Sequence, residues 1–160
     1  MAEHVFRMTM IAYVLAQLDG TVDADRVLRM ALVHDLPETR TGDLNYVNQK
    51  YVVADEERAA AEQTAGLPFG EEIRELLAEY RAEQSPEAIL AHDADQLAML
   101  LELKEHIDSG TPAAADWTPF VVRRLRTPAA TELAERILHG DSASWWFDRD
   151  SEWWVRGGKK

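Results

Sequence analysis

A chain of 160 residues, 46% apolar and 29% charged, has the size of one domain with a continuous core and is too short for two well-packed ones. Its formal net charge of −12 opposes binding along a polyanion, and no window reaches the ~18 uninterrupted apolar residues of a bilayer span, so neither a nucleic-acid nor a membrane partner is expected. The absence of cysteine removes disulfides and thiolate chemistry, leaving imidazole and carboxylate as the available metal donors.

From the N-terminus, His4, Met8, Ile11, Leu15 and Leu18 recur at helical spacing, which predicts a first helix with His4 turned inward. Met1-Ala2-Glu3 has neither the basic nor the apolar region of a secretion signal, and a cytoplasmic protein is expected. Asp19-Gly20-Thr21 ends the first helix, and Asp23 or Asp25 caps a second whose inward stripe is Val27, Ala31 and His34. Pro37 disfavours helical geometry at Leu36, which stops the second helix near Asp35. Thr39 to Lys50, with its Gly42-Asp43 turn signal, reads as a connecting loop.

Asp55 to Thr64 is a polar, alanine-rich surface helix stopped by Gly66-Leu67-Pro68, and Phe69 to Ala82 gathers Ile73, Leu76, Leu77 and Tyr80 on one side of a fourth helix. Ser85-Pro86 opens a fifth, running to about Ile107 and apolar nearly all round between Ile89 and Leu103, which predicts a central, buried helix. Two more segments follow, Trp117 to Arg126 and Ala129 to Leu138, separated by the cap signal Thr127-Pro128. Trp145, Trp146, Trp153 and Trp154 are expected to pack on the bundle, with a subunit contact as the alternative, and Gly157-Gly158-Lys159-Lys160 reads as a disordered end. Residues 1–140 thus form one helical domain and 141–160 its Trp-rich C-terminal extension. No strand pattern, repeat or low-complexity linker occurs, so the fold class is all-α.

Histidine or aspartate falls at inward positions of three helices: His4, the pair His34-Asp35, and Asp93 or Asp95. An ionised carboxylate in an apolar interior is costly unless paired or metal-bound, and one shared cation would satisfy all these groups. Arg123, Arg124 or Arg126 is the alternative partner for a carboxylate on the fifth helix, and periodicity leaves Asp93 and Asp95 both open. Two imidazoles with two carboxylates suit Mn, Co, Fe, Ni or Zn better than Ca or Mg. Such a cation would also reconcile the acidic chain with a small phosphorylated substrate.

The order of these residues, a His, then His-Asp about thirty positions on, then Asp about sixty after that, resembles the H…HD…D signature of HD-domain metal-dependent phosphohydrolases. His34-Asp35-Leu36-Pro37-Glu38-Thr39-Arg40-Thr41-Gly42-Asp43 is similar to the narrower pattern HDxxExxxGD. With Asp93-Ala94-Asp95-Gln96-Leu97, it looks like the branch containing the 5′-deoxynucleotidases. The resemblance covers roughly residues 2–107. It implies an HD-domain helical bundle of about six to eight helices around a buried site for one divalent transition metal, held by His4, His34, Asp35 and Asp95. Asp95 is preferred to Asp93 because Gln96-Leu97 follows it.

The resemblance also places Glu38 in the active site, to orient or deprotonate a water, and Asp43, to assist the leaving oxygen or a substrate hydroxyl. Members of the branch carry a helix before the first histidine, with an arginine that grips the substrate phosphate, whereas three residues precede His4 here. Either a segment lies upstream, or Arg40, Lys50 or Arg7 takes over, or the metal alone binds the phosphate. Only His92 lies between the HD pair and the last aspartate, which favours a mononuclear hydrolase over the di-iron oxygenases of the wider family. The expected activity is hydrolysis of (deoxy)nucleoside 5′-monophosphates, or a similar small phosphorylated metabolite, by a metal-bound water, in a homodimer. The alternatives are a cyclic-nucleotide or oligonucleotide phosphodiesterase, a non-catalytic nucleotide-binding HD protein, and a purely structural bundle.

Overall fold

The computed structural model describes residues 1–146 and 150–153. Among them the regular elements are all helical: α1 (Ala2–Asp19), α2 (Ala24–Val33), α3 (Glu38–Thr41), α4 (Glu56–Thr64), α5 (Gly70–Ala82), α6 (Pro86–Asp108), α7 (Thr118–Val122) and α8 (Pro128–His139), with 3-10 helices at Asn48–Lys50 and Pro112–Trp117. Side-chain caps set several boundaries as the sequence suggests. Asp23 accepts from Arg26 N at the start of α2, Ser85 from Ala88 N ahead of Pro86, and Thr127 from Ala130 N ahead of Pro128. Gly20, at φ 69°, closes α1 by donating its N–H to Ala16 O.

The central helix is α6, which packs against α1, α2, α5, α7 and α8. Leu90, Ala91, Ala94, Leu97, Ala98 and Leu100 are all buried around its circumference. Met8 and Leu15 of α1 and Val27 and Met30 of α2 complete the core with no exposed surface. Each such large side chain contributes about 1.5–3 kcal/mol through burial. The other side of α1 is also apolar, and Phe6, Met10 and Leu18 are more than half exposed. Leu18 therefore does not join the inward stripe.

At the α4–α5 corner the backbones meet so closely that a Cβ on Gly70 would lie 2.3 Å from Thr64 O. Thr64 itself is buried, donating to Ala60 O and accepting from Arg74 Nη1 at 2.6 Å.

Some expectations need correcting. Residues 39–50 are not all loop, because α3 begins at Glu38, directly after the buried Pro37, and a 3-10 turn closes at Lys50. The helix expected from Trp117 to Arg126 is only the short α7, which begins at Thr118-Pro119 directly after the 3-10 helix and ends at Val122. Trp145, Trp146 and Trp153 are more than half exposed rather than packed in the core, although Ser142 N anchors the tail's start on Asp108 Oδ2 at 2.9 Å. Trp154 and Gly157 to Lys160 lie outside the described residues.

Candidate metal centre

Three places in the chain bring four side chains together. The first turn of α1 carries His4, the C-terminal cap of α2 is His34, Asp35 follows it, and the middle of α6 carries Asp95. His4 Nε2 lies 3.0 Å from Asp95 Oδ1, and His34 Nε2 lies 2.8 Å from Asp35 Oδ1. The two imidazole centroids are 5.7 Å apart. Donor atoms of His4, His34 and Asp35 all fall within 4.8 Å of one another, and Asp95 joins them through its contact with His4.

The chemistry of His34 tests whether this donor set fits a cation. Its Nδ1 is 2.9 Å from Ala31 O. A carbonyl can only accept, so Nδ1 carries the hydrogen and Nε2 presents a lone pair when the ring is neutral. That Nε2 is buried and makes no hydrogen bond, because the nearby Asp35 oxygen is close but poorly aligned. A buried lone pair beside a carboxylate oxygen is a pair that a divalent cation would satisfy, so the residues fit a metal site. The ring is also held from behind: Tyr80 lies 5.4 Å from His34 and stacks on His92 at 3.9 Å and 11°. His92 Nε2 in turn contacts Tyr80 O at 2.8 Å.

Charges within the cluster shift its titration. The hydrogen bond with Asp95 raises the His4 pKa above its ordinary value. Burial draws the His34 imidazole down, but the adjacent Asp35 outweighs it and the net shift is upward. For Asp95, burial pushes upward and the bond to His4, with the neighbouring histidines, outweighs it in the downward direction. Glu38 is pushed up to about 7, first by burial and then by Asp35, Asp43 and Glu56. Burial, with Asp95 and Asp35 nearby, holds the Tyr80 hydroxyl well above its usual range, so it stays protonated.

Asp93 is a different case, although it sits two residues from Asp95. It is 1% exposed and accepts from Arg126 N at 2.9 Å, Thr127 N at 2.8 Å and Thr127 Oγ1 at 2.6 Å. It is therefore satisfied by the start of α8 and faces away from the cluster. No arginine side chain fills this role among the described residues: Arg126 pairs instead with Glu83, and Arg123 lies over the Phe120 ring.

Glu38 opens α3, and Asp43 follows Gly42, whose φ of 81° suits glycine. Glu38 and Asp43 line one cleft of about 630 Å³ together with His4, Asp35 and Asp95. A smaller cavity of about 190 Å³ adjoins His34, Asp35, Glu38, Tyr80 and Arg81. The three expected substrate cations are placed elsewhere. Arg7 is engaged by Glu3 and Glu105, Arg40 by Glu62, and Lys50 is exposed on its 3-10 turn; none of them lines either cavity. Carboxylates on neighbouring helices have captured both arginines. The cation in the large cleft is Arg124, with Tyr46, Gln96 and Trp117 beside it. From the sequence Arg124 is a candidate only for an ion pair with an α6 carboxylate, and it makes none among the described residues. Gln96 had its neighbour Asp95 as a signal, while Tyr46, Trp117 and Tyr80 had none that separated them from ordinary packing residues.

The fold and the cluster together define a helical domain with a candidate metal site, whose residues arrive in the order H…HD…D from three helices and the turn after the second. The chain belongs to the HD domain family, whose profile matches residues 1–136. Among similar proteins, 5′-deoxynucleotidase HDDC2 of Homo sapiens is 33% identical over 112 residues, covering 67% of this chain and 54% of that protein. A 5′-deoxynucleotidase of Enterobacter sp. (strain 638) is 30% identical over 125 residues, covering 68% and 61%. The chain thus spans little more than half the length of the human relative. Of solved structures, a predicted metal-dependent phosphohydrolase from Magnetospirillum magnetotacticum superposes with a TM-score of 0.67 at 28% identity, covering 86% of this chain and 74% of that one. A conserved hypothetical protein from Pyrococcus furiosus gives 0.66 at 26% identity, covering 85% and 81%.

Proposed function

We infer that this protein is a metal-dependent phosphomonoesterase acting on (deoxy)nucleoside 5′-monophosphates or a phosphorylated metabolite of similar size. The observation that carries this reading is the buried His34 Nε2, without a hydrogen bond and grouped with His4 and Asp35, whose partners His4, Asp35 and Asp95 line a cleft of about 630 Å³. The names of the similar 5′-deoxynucleotidases support the substrate class. His4, His34, Asp35 and Asp95 would hold one divalent ion from among Mn, Co, Fe, Ni and Zn. When bound, such an ion supplies Lewis acidity toward a phosphoryl oxygen and makes water acidic enough to ionise near neutral pH.

The remaining work falls to this chain's own side chains. Glu38, whose pKa burial and its carboxylate neighbours push up to about 7, orients the attacking water and takes up its proton. Asp43, across the cleft, meets the leaving oxygen or a sugar hydroxyl. Tyr80 and Ala31 fix the His34 ring so that it does not reorganise as charge develops. The same reading takes the protein as a cytoplasmic homodimer, and the outward apolar residues Phe6, Met10 and Leu18 support the dimer.

The test is phosphate release from a panel of ribo- and deoxynucleoside 5′-monophosphates after stripping metal and restoring Mn, Co, Fe, Ni or Zn singly. Metal-restored release that disappears in Asp95→Ala is the expected result. A metal-loaded protein that releases phosphate from no monoester but cleaves cyclic or oligomeric nucleotides would replace this reading with the diesterase one.

A further inference from the structure

Two arginines near the site, Arg81 and Arg124, have no carboxylate partner among the described residues, and of the two it is Arg124 that lines the large cleft. Among the described residues no carboxylate lies within ion-pair distance of it, whereas Arg7, Arg26, Arg29, Arg40, Arg58, Arg74, Arg126 and Arg136 are all paired. Its contacts are neutral and directional. Nη1 donates to the Tyr46 hydroxyl and, at 3.3 Å, to Gln96 Oε1, while the guanidinium lies 5.1 Å from the Tyr46 ring centroid. Tyr46 is itself stacked on Trp117 at 6.1 Å and 22°. Gln96 turns its other end to the metal cluster, donating from Nε2 to Asp95 Oδ2 at 3.1 Å. One amide side chain therefore spans the gap between a proposed metal ligand and an uncompensated cation.

The surroundings make that cation significant. The large cleft is lined by Asp35, Glu38, Asp43, Asp95 and Glu102, with Arg124 as its only arginine or lysine. A fixed positive charge facing such a cleft, held by acceptors that do not neutralise it, is oriented for an anion that arrives from outside. Beside it lies a largely apolar recess of about 410 Å³, walled by Phe120, Val121 and Asp116 and sharing Tyr46, Met99, Trp117 and Arg124 with the cleft. A flat ring fits between such side chains, and stacking there would anchor the ligand's far end.

The geometry points to a composite substrate subsite in which Arg124 binds the phosphate group and the Trp117–Phe120 recess receives the nucleobase. It rests on the nucleotide reading above, but it concerns binding and can be measured without turnover. Arg124 then supplies the cation that Arg7, Arg40 and Lys50, engaged or placed elsewhere, do not supply.

Calorimetric titration of the metal-loaded protein with inorganic phosphate and with thymidine 5′-monophosphate provides the test. Arg124→Ala is expected to weaken both ligands about 10- to 100-fold, the scale of one lost charge-assisted bidentate contact. Arg124→Lys should retain part of the affinity, and neither variant should change bound metal, because Arg124 is exposed and contacts no ligand directly. Trp117→Ala should weaken the nucleotide about tenfold and leave inorganic phosphate unchanged. The inference is overturned if Arg124→Ala binds phosphate as the wild type does, if the loss appears in Arg81→Ala or Arg40→Ala instead, or if the wild type binds no phosphate. Arg124-dependent nucleotide binding without phosphate release would sink the hydrolase reading and keep this one. Unchanged hydrolysis in Arg124→Ala would do the reverse.

Discussion

Asp93 and Asp95 sit two residues apart on one helix, and about 200° of rotation separates their side chains. They anchor two regions with opposite logic. At the α6–α8 junction, Asp93 receives three hydrogen bonds, two of them from backbone N–H groups at the start of α8, and is sealed from water. In the cleft, Asp95 meets an imidazole and an amide and keeps a quarter of its side-chain surface exposed. A carboxylate whose acceptors are filled by backbone is a structural part, whereas one partnered by a ring that could give way to a cation is held in reserve for a ligand. Burial alone does not tell them apart; the identity of the donors does.

The contrast is sharpest under mutation. Asp93→Ala leaves buried donors at the α8 start unpaired and should cost about 3 kcal/mol or more of folding stability, read by urea denaturation, while the fraction that remains folded still binds metal. Asp95→Ala should reverse the pattern, lowering metal affinity at least ~100-fold in a competitive chelator titration with a far smaller loss of stability. If Asp95→Ala proved the more destabilising of the two in metal-stripped protein, the division of roles would be wrong. Tyr80→Leu removes the ring behind His34 and should weaken metal binding about tenfold, with the fold intact by circular dichroism.

A gentler probe is pH. His4, His34 and Glu38 all have raised pKa values in the fold, so each takes up a proton on folding. Their stabilisation is complete below their unfolded pKa values and fades as pH rises through the folded ones. Asp95 is shifted the other way, but its contribution is lost only on acidification below about 4. Metal-stripped protein should therefore lose thermal stability as pH rises from about 5 through 7. Glu38→Gln should flatten the part of that slope below about 7. Added metal should stabilise more as pH rises, since binding displaces those protons. A flat profile for stripped protein would contradict the coupling within the cleft.

Much of this arrangement was legible in the chain. Ser85-Pro86 and Thr127-Pro128 mark helix starts by chemistry that acts locally, and the apolar run of α6 announces its central position. The cluster of His4, His34, Asp35 and an α6 aspartate follows from their inward phase. What periodicity left open was Asp93 against Asp95, because both interrupt a helix that is buried nearly all round, and only the residues after Asp95 and then the geometry separate them. Arg124 was out of reach for another reason. It follows a five-residue helix between a 3-10 turn and a cap, so its direction depends on tertiary packing that no local period encodes. The tryptophans of the tail misled in the opposite sense, since bulk and apolarity suggested burial while Trp145 is 84% exposed.

The tight α4–α5 corner turns a remote glycine into a lever on the metal site. Any side chain at position 70 must push the two backbones apart by about 1 Å to restore ordinary contact with Thr64 O. Gly70 begins the same rigid rod that carries Tyr80 ten residues further on, about 15 Å along the axis. A displaced fulcrum there swings Tyr80 away from His34 without touching any ligand, so Gly70→Ala is a substitution whose damage would be read in metal affinity rather than where it occurs.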